Sequence, residues 1–267
     1  MDEKYLFTLD KEEMKTRVKA LTGFKKERDE IKALSKIIFD MEIEYIEYMK
    51  FLNINGNVLL FGKPGTGKTS ICYDCMLDNI SASYYQLNMA ALVSEKLGKT
   101  AQKIDEVFVE LLNETKKYPT YLLIEEIEAF LPNRRESEDL EDMKRALTIF
   151  MHYLDRINPN LMVMCTTNHL ESLDPAIIRR FTYKIEITNN SIEDMEHFLT
   201  NEENPFHIFF KDELVNHKIA EKIIEKKMTF SDVKNMMKRL LLKDKENRIE
   251  SVNANSLYEM IMEEENK

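Results

Sequence analysis

The run Val58-Leu59-Leu60-Phe61-Gly62-Lys63-Pro64-Gly65-Thr66-Gly67-Lys68-Thr69 joins a short apolar stretch to a glycine-rich loop that ends in Lys-Thr. An unbroken apolar run closed by glycine suits a strand buried on both faces. The loop satisfies G-x-x-x-x-G-K-[ST] at each fixed position and lies between that strand and a helix, the context that makes the motif specific. Its glycines let backbone N–H groups turn inward around phosphates. Lys68 can reach the β- and γ-phosphates, and the Thr69 hydroxyl can bind Mg²⁺. Lys63, Pro64, Gly65, Thr66, Gly67, Lys68, Thr69 and Ser70 are therefore the candidate nucleotide-binding residues.

Outward from the loop, strand-like and helix-like segments alternate. Ahead of it, Ile31, Leu34, Ile37, Ile38, Met41, Tyr45 and Met49 recur at helical spacing. After it come a strand at 83–87, a helix carrying Ile104, Val107, Phe108, Leu111 and Leu112, and a strand at 121–124. A helix around Met143 to Leu154 and strands at 161–165 and 183–187 follow. Repeated strand and helix in this order predict an α/β fold, a parallel P-loop sheet flanked by helices. Past Asn190 the chain is charged and helical in period with no convincing strand, which predicts a small helical lid. The expected organisation is an N-terminal helical extension over 1–20, a nucleotide-binding domain over 21–189 and the lid over 190–267.

A phosphate loop alone does not separate ATPases from GTPases or kinases, so the second acidic element matters. It lies at Tyr121-Leu122-Leu123-Ile124-Glu125-Glu126-Ile127-Glu128. An apolar strand ending in acidic residues sets carboxylates at the carboxyl edge of the sheet, beside the loop. Glu125 is expected in the Mg²⁺ shell, with Thr69, and Glu126 is expected to orient and polarise the attacking water.

Composition excludes several classes. With 267 residues and 43% hydrophobic content the chain can bury a large core, so disorder is excluded as its main state. A net charge of −10 and a pI near 5.2 disfavour bulk attraction to nucleic acid or anionic membrane. No stretch approaches the ~20 apolar residues of a membrane span, and Met1-Asp2-Glu3-Lys4 is too charged to begin a secretory signal. A cytoplasmic location is expected. Cys72 and Cys75 form C-x-x-C, but no second ligand pair accompanies them, so small residues on a helix are the expected reading.

From about Leu21 through Arg180, and weakly into the tail, the sequence resembles the AAA+ ATPases, specifically the classical AAA branch of katanin, spastin and the vacuolar-sorting disassembly ATPase. Thr22-Gly23-Phe24 resembles the stretch lining the adenine pocket, which adds Gly23 to the binding set and implies ATP. Leu123 to Phe130 resembles the Walker B segment. Met164-Cys165-Thr166-Thr167-Asn168 resembles the strand ending in the sensor-1 residue, which implies that Asn168 meets the γ-phosphate and the attacking water. Leu173-Asp174-Pro175-Ala176-Ile177-Ile178-Arg179-Arg180-Phe181 resembles the arginine-finger segment. Such fingers act in trans, so Arg179 and Arg180 imply a homo-oligomeric ring, in this family a hexamer with shared active sites.

Two departures qualify the resemblance, and a third point agrees with it. Glu125 stands where the family has aspartate, and Glu128 likewise replaces an acidic Asp; slower hydrolysis follows if the longer carboxylate fits the Mg²⁺ shell less well. Leu92 to Thr100 resembles the first pore loop, but Lys96, followed by Leu97, occupies the position of the gripping aromatic. Phe230-Ser231-Asp232-Val233 carries no sensor-2 arginine, as in the classical branch.

The leading expectation is an ATP-hydrolysing ring that remodels or disassembles a protein partner, recruited through the pore face, the charged tail or a separate adaptor. An alternative, favoured by Glu125 and Lys96, is an assembly switch that gates an effector nuclease or protease with little turnover. A helicase or clamp loader would need a basic stripe or a helix-turn-helix appendage, and neither is visible, so nucleic acid is not the expected partner.

Overall fold

The computed structural model describes residues 4–19, 21–40, 45–93, 99–130, 137–156, 158–188, 191–244 and 249–263. Six strands form one sheet: β1 (Leu6–Thr8), β2 (Asn57–Phe61), β3 (Ser83–Leu87), β4 (Thr120–Ile124), β5 (Leu161–Thr167) and β6 (Tyr183–Glu186). Their spatial order is β1-β3-β4-β5-β2-β6, parallel except for β1, which pairs antiparallel with β3. β2 lies between β5 and β6, so the order reverses beside it. The crevice at the carboxyl ends of β2 and β5 is thus the topological switch point, where open α/β sheets bind ligands.

Alternation along the strands sends side chains to two separate cores. Leu59, Leu122, Ile124 and Val163 point to one face, against α6 (Thr100–Glu114) and α7 (Ser137–Leu154). There Phe108 packs between Phe150 and Tyr153, with ring centroids 5.9 and 4.5 Å away. Val58, Leu60, Leu123 and Met164 point to the other face. It is covered by Ile31, Leu34 and Ile38 of α2 (Lys25–Phe39) and by Ile71, Cys72, Cys75 and Met76 of α4 (Lys68–Leu77). The predicted parallel sheet with helices on both faces is the fold observed.

The segment expected as a helical extension is helical only in part. Leu6–Thr8 adds a sixth strand, with Leu6 buried, before α1 (Lys11–Val18) packs on α4. Three strand residues are too few to show a period, so charge alone was legible there. Asp10 caps α1 by accepting from the Glu13 N–H, and Lys11 Nζ donates to the Ile80 carbonyl at 2.6 Å, fastening the helix beside α4. The apolar pattern from Ile31 to Phe51 divides into α2 and α3 (Ile46–Leu52).

Past β6 the described residues are helical: α9 (Ile192–Thr200), α10 (Glu213–Glu225), α11 (Phe230–Lys243) and α12 (Ala254–Glu263), after α5 (Met89–Val93) and α8 (Pro175–Ile178) in the sheet region. They share a third core that includes Met195, Phe198, Ile219, Val233, Met236 and Leu257. Both α9 and α11 start with complete capping boxes, Ser191 with Asp194 and Thr229 with Asp232, each fixing where a helix begins. No helix among the described residues is long and apolar enough to cross a membrane.

All three cysteines are buried. Burial pushes the Cys72 and Cys165 thiols well above their ordinary range, and Cys75 up to about 12. At pH 8 that leaves roughly one Cys75 in ten thousand as the reactive thiolate. A native protein treated with an aromatic disulfide reagent at pH 8 is therefore expected to release less than about one thiol equivalent in an hour, and three after unfolding. Rapid modification of Cys72 or Cys75 in the native state would reverse the structural assignment of the C-x-x-C.

Candidate nucleotide and catalytic site

The loop after β2 owes its shape to residues without a Cβ. Gly62 has φ 147°, and an added Cβ would lie 2.2 Å from the Ile187 carbonyl oxygen. Gly65 has φ 78°, and its Cβ would lie 2.6 Å from Cβ of Ser231, at the start of α11. The lid thus rests directly on the loop. Thr66 is buried and turns inward, donating its hydroxyl to the Lys63 carbonyl at 2.9 Å, while Lys63 and Pro64 face solvent.

Lys68 is the buried cation of the site. Its ammonium donates to the Gly62 and Lys63 carbonyls and to Asn168 Oδ1, each at 2.8 Å. Burial holds its pKa below the ordinary lysine value, against the opposing attraction of the Glu128 and Glu126 carboxylates. Those three hydrogen bonds join the end of β2 to the residue that follows β5.

The acidic edge sits at the end of β4. Glu125 accepts from the Thr69 hydroxyl through Oε1 at 2.5 Å and from Gln86 Nε2 through Oε2 at 2.7 Å. Gln86 belongs to β3, and sequence reasoning did not single it out. A polar side chain alternating with buried apolar ones near the end of a strand was the available signal. Glu126 is exposed and has φ 52°, a left-handed backbone that costs a non-glycine residue about 1–2 kcal/mol. Its N–H points to Thr166 Oγ1 at 3.4 Å. Glu128 accepts the Asn168 N–H through Oε1 at 3.0 Å, so it holds the residue that Lys68 also holds.

The Thr69 hydroxyl and the Glu125 carboxylate form a pair of hard oxygen donors of the kind Mg²⁺ takes. The described residues contain no cluster of three or more His, Cys, Asp or Glu suited to a metal. Mg²⁺ suits such a sparse donor set, since it draws most of its ligands from phosphate and water.

A cavity of about 330 Å³ brings together Pro64, Gly65, Gly67, Lys68, Thr69 and Ser70 with Glu125, Glu126 and Asn168. Its outer wall adds Leu21, Arg17 of α1, Phe198 of α9, and Ser231 and Lys234 of α11. Gly23 lies outside this lining. With φ 77° it packs on Asp194 of α9, where an added Cβ would sit 2.7 Å from Cγ, and the neighbouring Thr22 hydroxyl donates to the Asp194 carbonyl at 3.0 Å. The 22–24 stretch therefore docks the lid.

The arginines are elsewhere. They follow α8 and precede β6, at the amino edge of the sheet, where the Arg180 carbonyl accepts from Asn55 Nδ2 at 3.2 Å and Asn57 Nδ2 at 3.0 Å. Arg180 is held within its own chain. Nε pairs with Asp155 at 2.9 Å, and its guanidinium also donates to the Ala176 carbonyl. Arg179 is exposed and has no ion pair among the described residues. Lys96 and Leu97 lie outside the described residues.

Contact between Gly65 and Ser231 predicts that Gly65→Ala both strains the loop and lifts the lid. A left-handed alanine costs about 1–2 kcal/mol, which lowers the melting temperature by roughly 2–8 °C for a chain of this size. Calorimetric melting of Gly65→Ala, alone and combined with Ser231→Gly, checks it: the second change should recover part of the loss, and no recovery would remove the contact from the account of lid placement.

Residues 58–189 match the family described as ATPase family associated with various cellular activities (AAA). A putative cell division cycle ATPase of Plasmodium falciparum is 31% identical over 193 residues, 69% of this chain and 15% of that protein. Spastin of Naegleria gruberi is 36% identical over 138 residues, 49% of this chain and 25% of that protein. The chain thus spans a quarter or less of these two relatives' length. Among solved structures, a chain of the HORMA:CdnC:Trip13 complex of E. coli MS115-1 superposes with TM-score 0.77 and 16% identity, covering 98% of this chain and 96% of that one. That likeness shows the fold. The chain belongs to the AAA ATPases, and within them to the classical type of which spastin is a member.

Proposed function

We propose that the chain hydrolyses ATP in a homo-oligomeric ring, with each site completed by the next subunit, and uses the cycle to remodel a protein partner. The supporting observation is spatial. Arg179 sits beyond the amino end of β2 while Lys68 sits beyond its carboxyl end, so the five residues of the strand, roughly 16 Å at ~3.3 Å each, separate the arginine from its own phosphate loop. An exposed guanidinium without an ion pair on that edge suits the site of a neighbouring copy. A patch on one edge meeting a different patch on the other is a heterologous contact, and repetition with closure gives a ring.

Within the site, Lys68 binds the β- and γ-phosphates, for which its bonds to two carbonyls and Asn168 already aim it. Thr69 and Glu125 would hold Mg²⁺, which when bound would supply charge neutralisation at the phosphates. Gln86 anchors the far oxygen of Glu125 and fixes the longer side chain that replaces aspartate. Glu126 orients the attacking water and takes up its proton, and its strained backbone lifts the carboxylate into the cavity beside Asn168. Arg179, arriving from the neighbour, stabilises charge on the transferred phosphoryl group. Arg180, tied to Asp155 and Ala176, positions the segment. A chain of this fold occurs in complex with HORMA and CdnC proteins, which supports a protein as the partner.

Four variants test the reading. Glu126→Gln should lower turnover by about 10²–10⁴-fold while ATP still binds. Arg179→Ala should lower it by about 10³-fold or more with ATP affinity kept, and Arg180→Ala should lower it less. Mixing Arg179→Ala with Lys68→Ala subunits, each inactive alone, should restore hydrolysis, because some interfaces then pair an intact loop with an intact finger. Full turnover by assembled Arg179→Ala protein would overturn the shared site.

A further inference from the structure

The nucleotide cavity opens outward into a second, more apolar groove of about 710 Å³, lined by Pro205, Phe206, Met237 and Leu241 among others. Five residues line both spaces: Arg17, Thr69, Ser70, Phe198 and Lys234. The passage between them therefore holds two cations, two hydroxyls and one aromatic ring, with no carboxylate. The carboxylates of the cavity, Glu125 and Glu126, belong to β4's carboxyl end.

The two cations come from elements with no part in the phosphate motif. Arg17 lies in the last turn of α1, where Glu13 holds it at 2.7 Å and its guanidinium lies 5.8 Å from the centre of the Tyr73 ring. Lys234 stands one turn into α11, its ammonium 5.6 Å from the centre of the Phe198 ring and without a carboxylate partner among the described residues. Partial desolvation draws its pKa below the ordinary lysine value, although the residue as a whole is exposed. A lysine head brought against an aromatic ring at the mouth of a polar cavity, and left without an anion, is placed to receive one.

The anion follows from the order of residues along α4. A nucleotide whose terminal phosphates lie at Lys68 runs outward past Thr69 and then Ser70, so its α-phosphate and sugar enter the passage. We infer that Lys234 and Arg17 contact the α-phosphate of the bound nucleotide, and that the nucleotide thereby ties lid helix α11 to the N-terminal helix α1. This rests on the nucleotide reading of the phosphate loop. It also gives residues 4–19, which precede the family match, a part in the site: β1 clips the segment to the sheet edge, and Lys11 pins α1 beside α4.

Displacement of a fluorescent ADP analogue by ADP, AMP and adenosine separates the possibilities. Lys234→Met and Arg17→Met keep the apolar stems and remove the charges. Each should weaken ADP and AMP by about tenfold, the scale of one charge-assisted contact, and leave adenosine within about twofold. Lys234→Arg should restore most of the loss. Unchanged ADP and AMP binding in both Met variants, or an equal loss for adenosine, overturns the clasp. If the unaltered protein binds no adenine nucleotide, the phosphate-loop reading falls and the clasp with it. If it binds and Lys68→Ala abolishes binding while the Met variants bind normally, the clasp alone falls.

Discussion

A buried ammonium needs acceptors, and those that Lys68 finds organise the site. Two are carbonyls of its own loop, Gly62 and Lys63, and the third is the Asn168 side chain beyond β5. Placing a charge in a half-enclosed cavity without such partners would be costly. The bonds therefore keep the loop curled around its lysine and hold the ends of β2 and β5 in register. Asn168 is fixed from behind by Glu128, so one chain of contacts runs from the phosphate loop through the strand end to the acidic segment. A phosphate entering this cradle meets a cation already positioned, and reorganisation at binding is small.

Topology explains why these groups meet. β2, β4 and β5 end on one edge of the sheet, and the reversal of strand order beside β2 opens a crevice there. The same connectivity carries the segment after α8 back to the opposite edge, because β6 runs parallel to β2 and must be entered from its amino end. The arginines are thereby separated from the loop they resemble partners of. Hydrogen bonds from Asn55 and Asn57 to the Arg180 carbonyl make that separation rigid.

The lid is connected to the cradle through small atoms. Gly65 lies against Ser231 and Gly23 against Asp194, so two glycines at positive φ set the distance between sheet and helices. Each lid partner sits in the first turn of a helix whose start is fixed by a capping box. The loop and α11 are therefore in direct contact, as are the 22–24 stretch and α9.

The phosphate loop and the acidic strand end were legible in the sequence because local chemistry specifies them, whereas Asn168 was marked only by the family resemblance of its segment. A glycine-rich loop needs its residues in order, and strands with continuous apolar runs announce a doubly covered sheet. Gln86, Arg17 and Lys234 were not legible, since each is an ordinary polar residue whose partner lies far along the chain. The strand at Leu6–Thr8 was too short for a period to show. Gly23 illustrates the difference within one residue: the sequence marked it as special, while only packing against Asp194 decided that it holds the lid and does not line the cavity. By itself the sequence determined the phosphate cradle, the two-faced sheet and the acidic edge, because motif spacing and hydrophobic period are local properties. Tertiary structure decided which arginine is exposed and without an ion pair among the described residues, which amide anchors Glu125 and which cations ring the cavity mouth, because those depend on strand order and on the elements that fold back over the site.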